Sequence, residues 1–352
     1  MKKIILAILA IGILGGGAFI VKIGILDRPE NPQAFVNQAL ANYFDIESSK
    51  FESVVNLSVT KVADFEGNLN LEVSGKIANA RDYLPNLDYR IALNGKGSAA
   101  GQEAAISASG DLRILDEIFY GKLGKIELTG IPNKVLALIE STNAFTEKWY
   151  SLSFKKLKET NLKIAELFEE QEKQQVAMRE NLQNFFVNND TLMVKKLPFS
   201  FSNKQKVEVV LNPDVLTSDT FFAEIERVFT SSYLDGMVNP FEMTEEEKTE
   251  ARRVIREIMK KSNPQILLRI GKKDGILYGY DFEMDLNLAD IGIGDYPIGR
   301  IKITVNSQLT EVNQPQQIVI PKNAEEVDPF NFIPTPQITE EEKMVEENVE
   351  SE

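Results

Sequence analysis

Apolar and polar residues alternate along two long stretches of this chain, residues 51–154 and 265–320. In the first stretch the apolar positions fall into three runs: Phe51, Val55, Leu57 and Val59, then Leu69, Leu71, Val73 and Ile77, then Leu87, Tyr89, Ile91 and Leu93. In the second, an alternating run from Ile276 to Leu288 follows the turn Lys273–Gly275. Alternation with one polar face, broken by glycine-containing turns, is typical of antiparallel strands. The pattern therefore predicts two β-meanders, which we expect to form one sheet. Gln317–Ile320 is predicted as a short last strand.

Between and before these meanders the apolar period changes to that of a helix. Pro32–Ser48 is predicted as an amphipathic helix, with Asn31 as its cap and proline at the first helical position. Central helices are predicted over 155–190 and over 218–261, the latter as two helices, Asp219–Leu234 and Thr244–Lys261. Thr244 and Glu247 have the spacing of a capping box, which marks the start of the last helix.

The N-terminal segment favours a membrane anchor. Lys2 and Lys3 precede the uncharged run Ile4–Val21, which as a helix spans roughly 27 Å, enough for a bilayer core. Residues 1–26 are therefore predicted as a transmembrane anchor contacting the membrane through residues 4–26, with a cytoplasmic N-terminus and an extracytoplasmic main domain. The alternative is a cleaved signal peptide and a secreted protein.

The remaining chain divides into a linker, one domain and a tail. Residues 27–31 form a polar linker, residues 32–327 form the β-sheet domain, and residues 328–352 are a proline-containing, acidic tail that is predicted to be disordered.

Composition argues against several classes of chemistry. The chain has no cysteine and no histidine, so it lacks disulfides, cysteine nucleophiles and the commonest metal ligand and general base. Its formal charge is −14, which disfavours nucleic-acid binding. The basic group Lys155, Lys156 and Lys158 is interpreted as a solvated face. No catalytic motif is present, and we predict a protein without enzymatic activity, cofactor or metal.

A row of carboxylates on one predicted strand is a candidate cation site. Asp281, Glu283 and Asp285 alternate along the strand predicted at Ile276–Leu288, so they share one face. A calcium site needs six or more oxygens that converge from turns. A flat row does not provide them, and the row is interpreted as a solvated strand face.

The order of elements resembles the lipoprotein-carrier superfamily, the LolA/LolB-like and LppX/LprG-like proteins. The similar segments are a helix running into a first strand (Pro32–Ser49, then Phe51–Val59), hairpin pieces at Gly121–Lys125 and Lys148–Phe154, and the closing sequence Gln317-Ile318-Val319-Ile320-Pro321-Lys322-Asn323-Ala324. The resemblance covers roughly residues 32–327. Many relatives are anchored through a lipidated cysteine, which this chain lacks.

The resemblance implies an α+β fold: a curved, incompletely closed, mostly antiparallel β-sheet with helices packed on its concave side. It also implies an apolar cavity for a lipid or another hydrophobic ligand. The candidate lining is Phe51, Val55, Leu57, Leu69, Leu71, Val73, Tyr278, Tyr280, Phe282, Met284 and Leu286. The alternatives are that these side chains only fill a packed core, and that the protein is a non-catalytic scaffold of the cell envelope.

Overall fold

Thirteen described strands and five described helices make up the domain. The structure is a computed structural model that describes residues 31–62, 65–99, 101–130, 146–160, 162–198, 202–223, 244–290 and 299–327. The strands are β1 (Ser48–Val62), β2 (Phe65–Ala78), β3 (Asn86–Ala99), β4 (Gln102–Leu115), β5 (Ile118–Leu123), β6 (Glu127–Thr129), β7 (Trp149–Ser153), β8 (Leu192–Lys196), β9 (Lys204–Leu211), β10 (Gln265–Gly271), β11 (Leu277–Asn287), β12 (Arg300–Thr310) and β13 (Glu325–Glu326). The helices are α1 (Pro32–Ala41), α2 (Phe154–Thr160), α3 (Leu162–Asn188), α4 (Pro213–Leu216) and α5 (Glu245–Ser262), and residues 219–223 are also helical.

The two meanders join in one sheet, as predicted. Its strand order is β13-β7-β5-β4-β3-β2-β1-β12-β11-β10-β9-β8, with β6 beside β4. The halves meet where β1 pairs with β12, for example Val55 with Val305. Every pairing among the named strands is antiparallel except that of β13 with β7. The predicted α+β class with a large, curved, unclosed and mostly antiparallel sheet is thus confirmed.

The sheet has two chemically different faces, because successive side chains of a strand point to opposite sides. We call the side that carries Val55 and Phe282 the helix-side face, since the helices pack there, and the side that carries Asn56 and Glu283 the outer face. The main core lies between β8–β12 and the helices α1, α3 and α5, and the buried stripe of α5 includes Val254, Ile255 and Ile258.

Helix α5 begins and ends as its sequence predicts. Thr244 Oγ1 accepts a hydrogen bond from the Glu247 amide, and the Glu247 carboxylate accepts one from the Thr244 amide. Three glutamates lie in its first turn and two lysines in its last, which suits the helix dipole. Helix α1 begins at Pro32, and the Asn31 side chain accepts from the amides of Gln33 and Ala34.

Two predicted helices have other boundaries in the structure, and the end of a third cannot be compared with it. Helix α1 ends at Ala41, where a 3₁₀ turn over Asn42–Asp45 leads into β1. The helical region predicted over 155–190 consists of two helices, α2 and α3. The part of the predicted helix Asp219–Leu234 beyond residue 223 lies outside the described residues.

The short last strand predicted at Gln317–Ile320 is wrong. Residues 311–327, here called the C-terminal strap, leave β12 and cross the outer face before β13 pairs with β7. Ahead of β13, side chains of the sheet hold the strap: Lys76 Nζ donates to the Gln317 carbonyl at 3.3 Å, and Arg113 Nη1 donates to the Val319 carbonyl at 2.9 Å. The apolar run Ile318–Ile320 that suggested a strand belongs to chain without regular secondary structure.

The edge strand β8 is covered by one glutamine. Gln33 Nε2 of α1 donates to the Leu192 carbonyl at 2.7 Å, and Gln33 Oε1 accepts from the Val194 amide at 2.9 Å. The side-chain amide thus satisfies two of the hydrogen-bonding groups that a further strand would use, which protects part of an otherwise open sheet edge.

Replacing Gln33 by methionine is expected to lower the free energy of unfolding by about 1–3 kcal/mol, because the change leaves two half-buried backbone groups without their partner. The Val194 amide should also exchange its hydrogen faster, which hydrogen-exchange mass spectrometry measures on peptides covering β8. Gln317→Met is the control, because Gln317 is exposed on the strap and its side chain makes no hydrogen bond within the described residues. Equal effects of the two changes would contradict this role for Gln33.

Candidate functional site

An apolar cleft lies on the helix-side face of β1–β4. It has a volume of about 520 Å³, which is within the range of ~300–1,000 Å³ typical of ligand pockets. The cleft is lined by Leu57, Val59, Phe65, Gly67, Asn68, Leu69, Gly95, Lys96, Gly97, Ser98, Gln102, Ala104, Ala105, Ile106 and Gly130.

The apolar side chains of this region are less buried than those of the main core. Phe65 is 42% exposed and Ile91 is 40% exposed, although both belong to the helix-side face. In contrast, Phe282 and Met284 of β11 on the same face are 2% and 1% exposed. The helix-side face is therefore closed over β9–β12 and partly open over β1–β4.

Glycines in β2 and β3 shape the floor of the cleft. A Cβ atom on Gly67 would lie 2.9 Å from the Phe65 ring, and one on Gly97 would lie 3.0 Å from it. A Cβ on Gly95 would lie 2.9 Å from the Ile106 side chain. The absence of side chains at these positions lets the Phe65 ring and the Ile106 side chain lie close to the backbone of the sheet.

The residues predicted to line a cavity fall into two groups. Those of β1 and β2 are half-buried: Phe51, Val55, Leu57, Leu69, Leu71 and Val73. Leu57 and Leu69 line the cleft, and Leu71 and Val73 continue the same face along β2 toward Phe51. Val55 packs against the edge of the main core, and Phe51 contacts Tyr89 edge-on at 4.6 Å between ring centroids.

The β11 group lies in packed structure. Tyr280, Phe282, Met284 and Leu286 are buried in the main core, which also includes α5. Burial raises the pKa of Tyr280 to about 12, so its phenol is neutral at physiological pH. Tyr278 is half-buried beside a smaller cluster, and its hydroxyl donates to Asp274 at 2.7 Å. These five residues do not line the apolar cleft.

The sequence interpretation did not include Phe65, Ile106 or the three glycines of the cleft floor. Gly95 and Gly97 are two positions apart along β3, so they share a face with Leu93. This spacing is the one feature of the sequence that indicates a floor without side chains on that face. The glycine spacing does not show which side chain occupies the space above the glycines. That side chain is the Phe65 ring, which comes from β2.

The carboxylate row of β11 is paired with basic residues. Asp281 is bound by Arg269, Glu283 contacts Lys302 at 2.6 Å, and Asp285 is bound by Arg300. The hydrogen bonds from Arg300 hold the pKa of Asp285 below its ordinary value. The part of the chain that the structure describes contains no group of three or more acidic side chains placed to hold a metal ion.

The basic group near α2 also has acidic partners. Lys158 contacts Glu117 at 2.7 Å, and Lys156 pairs with Glu326 of β13. Lys156 therefore helps to hold the end of the C-terminal strap.

No helix within the described ranges combines the length and the apolar character needed to cross a bilayer. The predicted anchor at residues 4–26 lies outside those ranges. Comparison of the chain with protein-family models, with curated proteins and with solved structures gives no match. The resemblance to the lipoprotein carriers stays a prediction.

Proposed function

We propose that this protein is a membrane-anchored, extracytoplasmic binding protein that sequesters or carries a lipid or another hydrophobic ligand without covalent chemistry. The observation that carries the proposal is the apolar cleft, where aliphatic and aromatic side chains are half-exposed on a face that is fully buried elsewhere in the same sheet.

The energetics of this site suit a hydrocarbon chain. Each buried methylene contributes about 0.8 kcal/mol, so several methylene groups lying against Leu57, Leu69 and Ile106 are enough for useful affinity. Burial of Phe65 and Ile91 by the ligand would add to this contribution, because both side chains still expose apolar surface.

The shape of the sheet also supports a carrier. A curved sheet covered by helices over one half provides a floor and one wall, and its other half remains accessible from the side. In this proposal the concave side holds the helices, and the site lies beside them. The predicted anchor at residues 4–26 would keep the site next to the membrane from which a lipid is taken.

Photo-crosslinking of the full-length chain in isolated membranes tests the proposal. Membranes are incubated with a diazirine-labelled palmitate and illuminated, and the labelled peptides are mapped by mass spectrometry. We expect labels on β1, β2 and β4 around Leu57, Leu69 and Ile106. Labels confined to residues 1–31 would show contact with bulk lipid alone and would contradict the proposal.

A matched pair of variants on β1 sharpens this test. Leu57→Gln places an amide in the cleft, at a cost of about 1–3 kcal/mol, or roughly 5- to 150-fold weaker binding. Val54→Gln makes the same kind of change at a half-buried position on the outer face. We expect Leu57→Gln to remove most of the label and Val54→Gln to keep it. Equal labelling of both variants would favour the envelope-scaffold alternative.

A further inference from the structure

A row of hydrogen-bonding side chains crosses the outer face on five neighbouring strands. In register, Thr304 of β12 stands beside Asn56 of β1, then Asn70 of β2, Asn94 of β3 and Ser107 of β4. We call these five residues the amide row.

The amide row is internally ordered. Asn56 Nδ2 donates to Thr304 Oγ1 at 3.3 Å, Asn70 Nδ2 donates to Asn56 Oδ1 at 2.9 Å, and Ser107 Oγ donates to Asn94 Oδ1 at 3.0 Å. Within the described residues, Asn70 Oδ1 and the Asn94 amide nitrogen make no hydrogen bond to protein, so each has capacity for a ligand.

The composition of the row is unfavourable for a strand. Asparagine is depleted in β-strands, where β-branched and aromatic residues are preferred. Three asparagines nonetheless occupy adjacent positions in the middle of the longest strands, and Asn68 stands next to Asn70 on the same face of β2. Departures from local preference of this kind are expected where a surface has a function.

The row lies in a groove large enough for a ligand. All five of its residues line one depression of about 560 Å³ on the outer face, together with Ser58, Asn68 and Lys96. A second depression of about 500 Å³ adjoins it and shares Asn56 and Thr304. Because both depressions follow the row, the groove runs across the strands.

The spacing and charge of the groove identify the chemistry of its occupant. An extended β-1,4-linked glycan advances by about 5 Å per sugar, close to the separation of about 4.8 Å between neighbouring strands. Successive β-1,4-linked sugars are turned over relative to one another, so one edge of the glycan meets polar groups on every second strand and the other edge meets those on the strands between. The row itself is uncharged, and the groove around it carries charges of both signs, Lys96 and Lys302 beside Glu127. The chain has a formal charge of −14, which disfavours polyanions.

We propose that the amide row binds a neutral, linear β-1,4-linked glycan that lies across β12, β1, β2, β3 and β4. This site is on the opposite face from the apolar cleft, and the proposal does not depend on lipid binding.

Titration of the full-length chain in lipid nanodiscs with cellohexaose and chitohexaose tests the site. Maltohexaose is the matched control, since its α-1,4 links coil the chain and remove the repeat of about 5 Å that matches the strands. We expect at least one β-1,4 hexamer to bind at least tenfold more tightly than maltohexaose. Absence of binding by both β-1,4 hexamers at millimolar concentration, or equal binding of maltohexaose, would overturn the proposal.

The variants Asn70→Val and Asn94→Val separate a binding role from a structural one. Valine removes the amide but is favoured in strands, so we expect unchanged or higher stability together with at least tenfold weaker glycan binding. Ser74→Val, on the same face of β2 but outside both depressions, should bind as the unmodified chain does. Loss of stability with unchanged glycan binding would show that the row only holds the sheet together, and would refute the site.

Discussion

Shortening Ile258 to alanine is expected to lower the free energy of unfolding by about 2–5 kcal/mol. The side chain is 0% exposed and lies in the main core with Phe282 and Met284, so its removal leaves a cavity in addition to losing buried apolar surface. Urea titration of the full-length chain in a mild detergent, followed by the fluorescence of Trp149, the one tryptophan of the sequence, measures the change.

Arg256→Ala is the control for this prediction. Arg256 lies on the exposed side of the same helix, two positions away, so the change alters helix propensity very little and removes no core contact. A loss of less than 1 kcal/mol for Ile258→Ala, or similar losses for both variants, would mean that α5 contributes little to the stability of the sheet.

Replacing Gly75 by alanine is expected to lower the free energy of unfolding by about 1–3 kcal/mol or more, because the new methyl group has no room. A Cβ at this position would lie 2.2 Å from the Asp88 carbonyl oxygen and 2.8 Å from the Tyr89 ring. The first neighbour is backbone of the adjacent strand, so relief requires movement of β3. The same urea titration measures the loss.

Gly110→Ala provides the matched comparison. Gly110 also lies within a long strand, and its nearest neighbour is the Lys122 carbonyl oxygen at 3.3 Å, which needs a shift of only a few tenths of an ångström. We expect its stability to change by less than about 1 kcal/mol in either direction, since alanine also restricts the unfolded chain. Equal losses for Gly75→Ala and Gly110→Ala would contradict the steric explanation.

The sequence predicted those elements whose signals are local. Thr244 and Glu247 mark the start of α5 within one turn, and the alternation around Phe282 determines which face of β11 is buried. A slip of one residue there would bury Asp281 and its neighbouring carboxylates, so the register is strongly determined. The union of both meanders in one sheet was also predicted.

Features that depend on distant segments were predicted less well. Ile318, Val319 and Ile320 form a short β-branched run of the kind that strands favour, but residues 317–320 pair with no strand in the described part of the chain, and Val319 and Ile320 are exposed. The division of the cavity-lining residues into buried and half-exposed groups depends on which strands α5 covers, and no residue of β1 or β2 carries that information. Similarly, Gln33 protects β8 only because the fold brings α1 to that edge.

The central position of β1 has a consequence for the order in which the protein assembles. Val55 on β1 pairs with Val305 on β12, so a strand made early during synthesis must wait for one made near the end. Until then β1 pairs only with β2, and one long edge remains open to other chains. Such a nonlocal pairing implies slow folding and a prolonged aggregation-prone intermediate. Efficient production of this protein is therefore expected to depend on chaperones that protect the first meander while the second is being made.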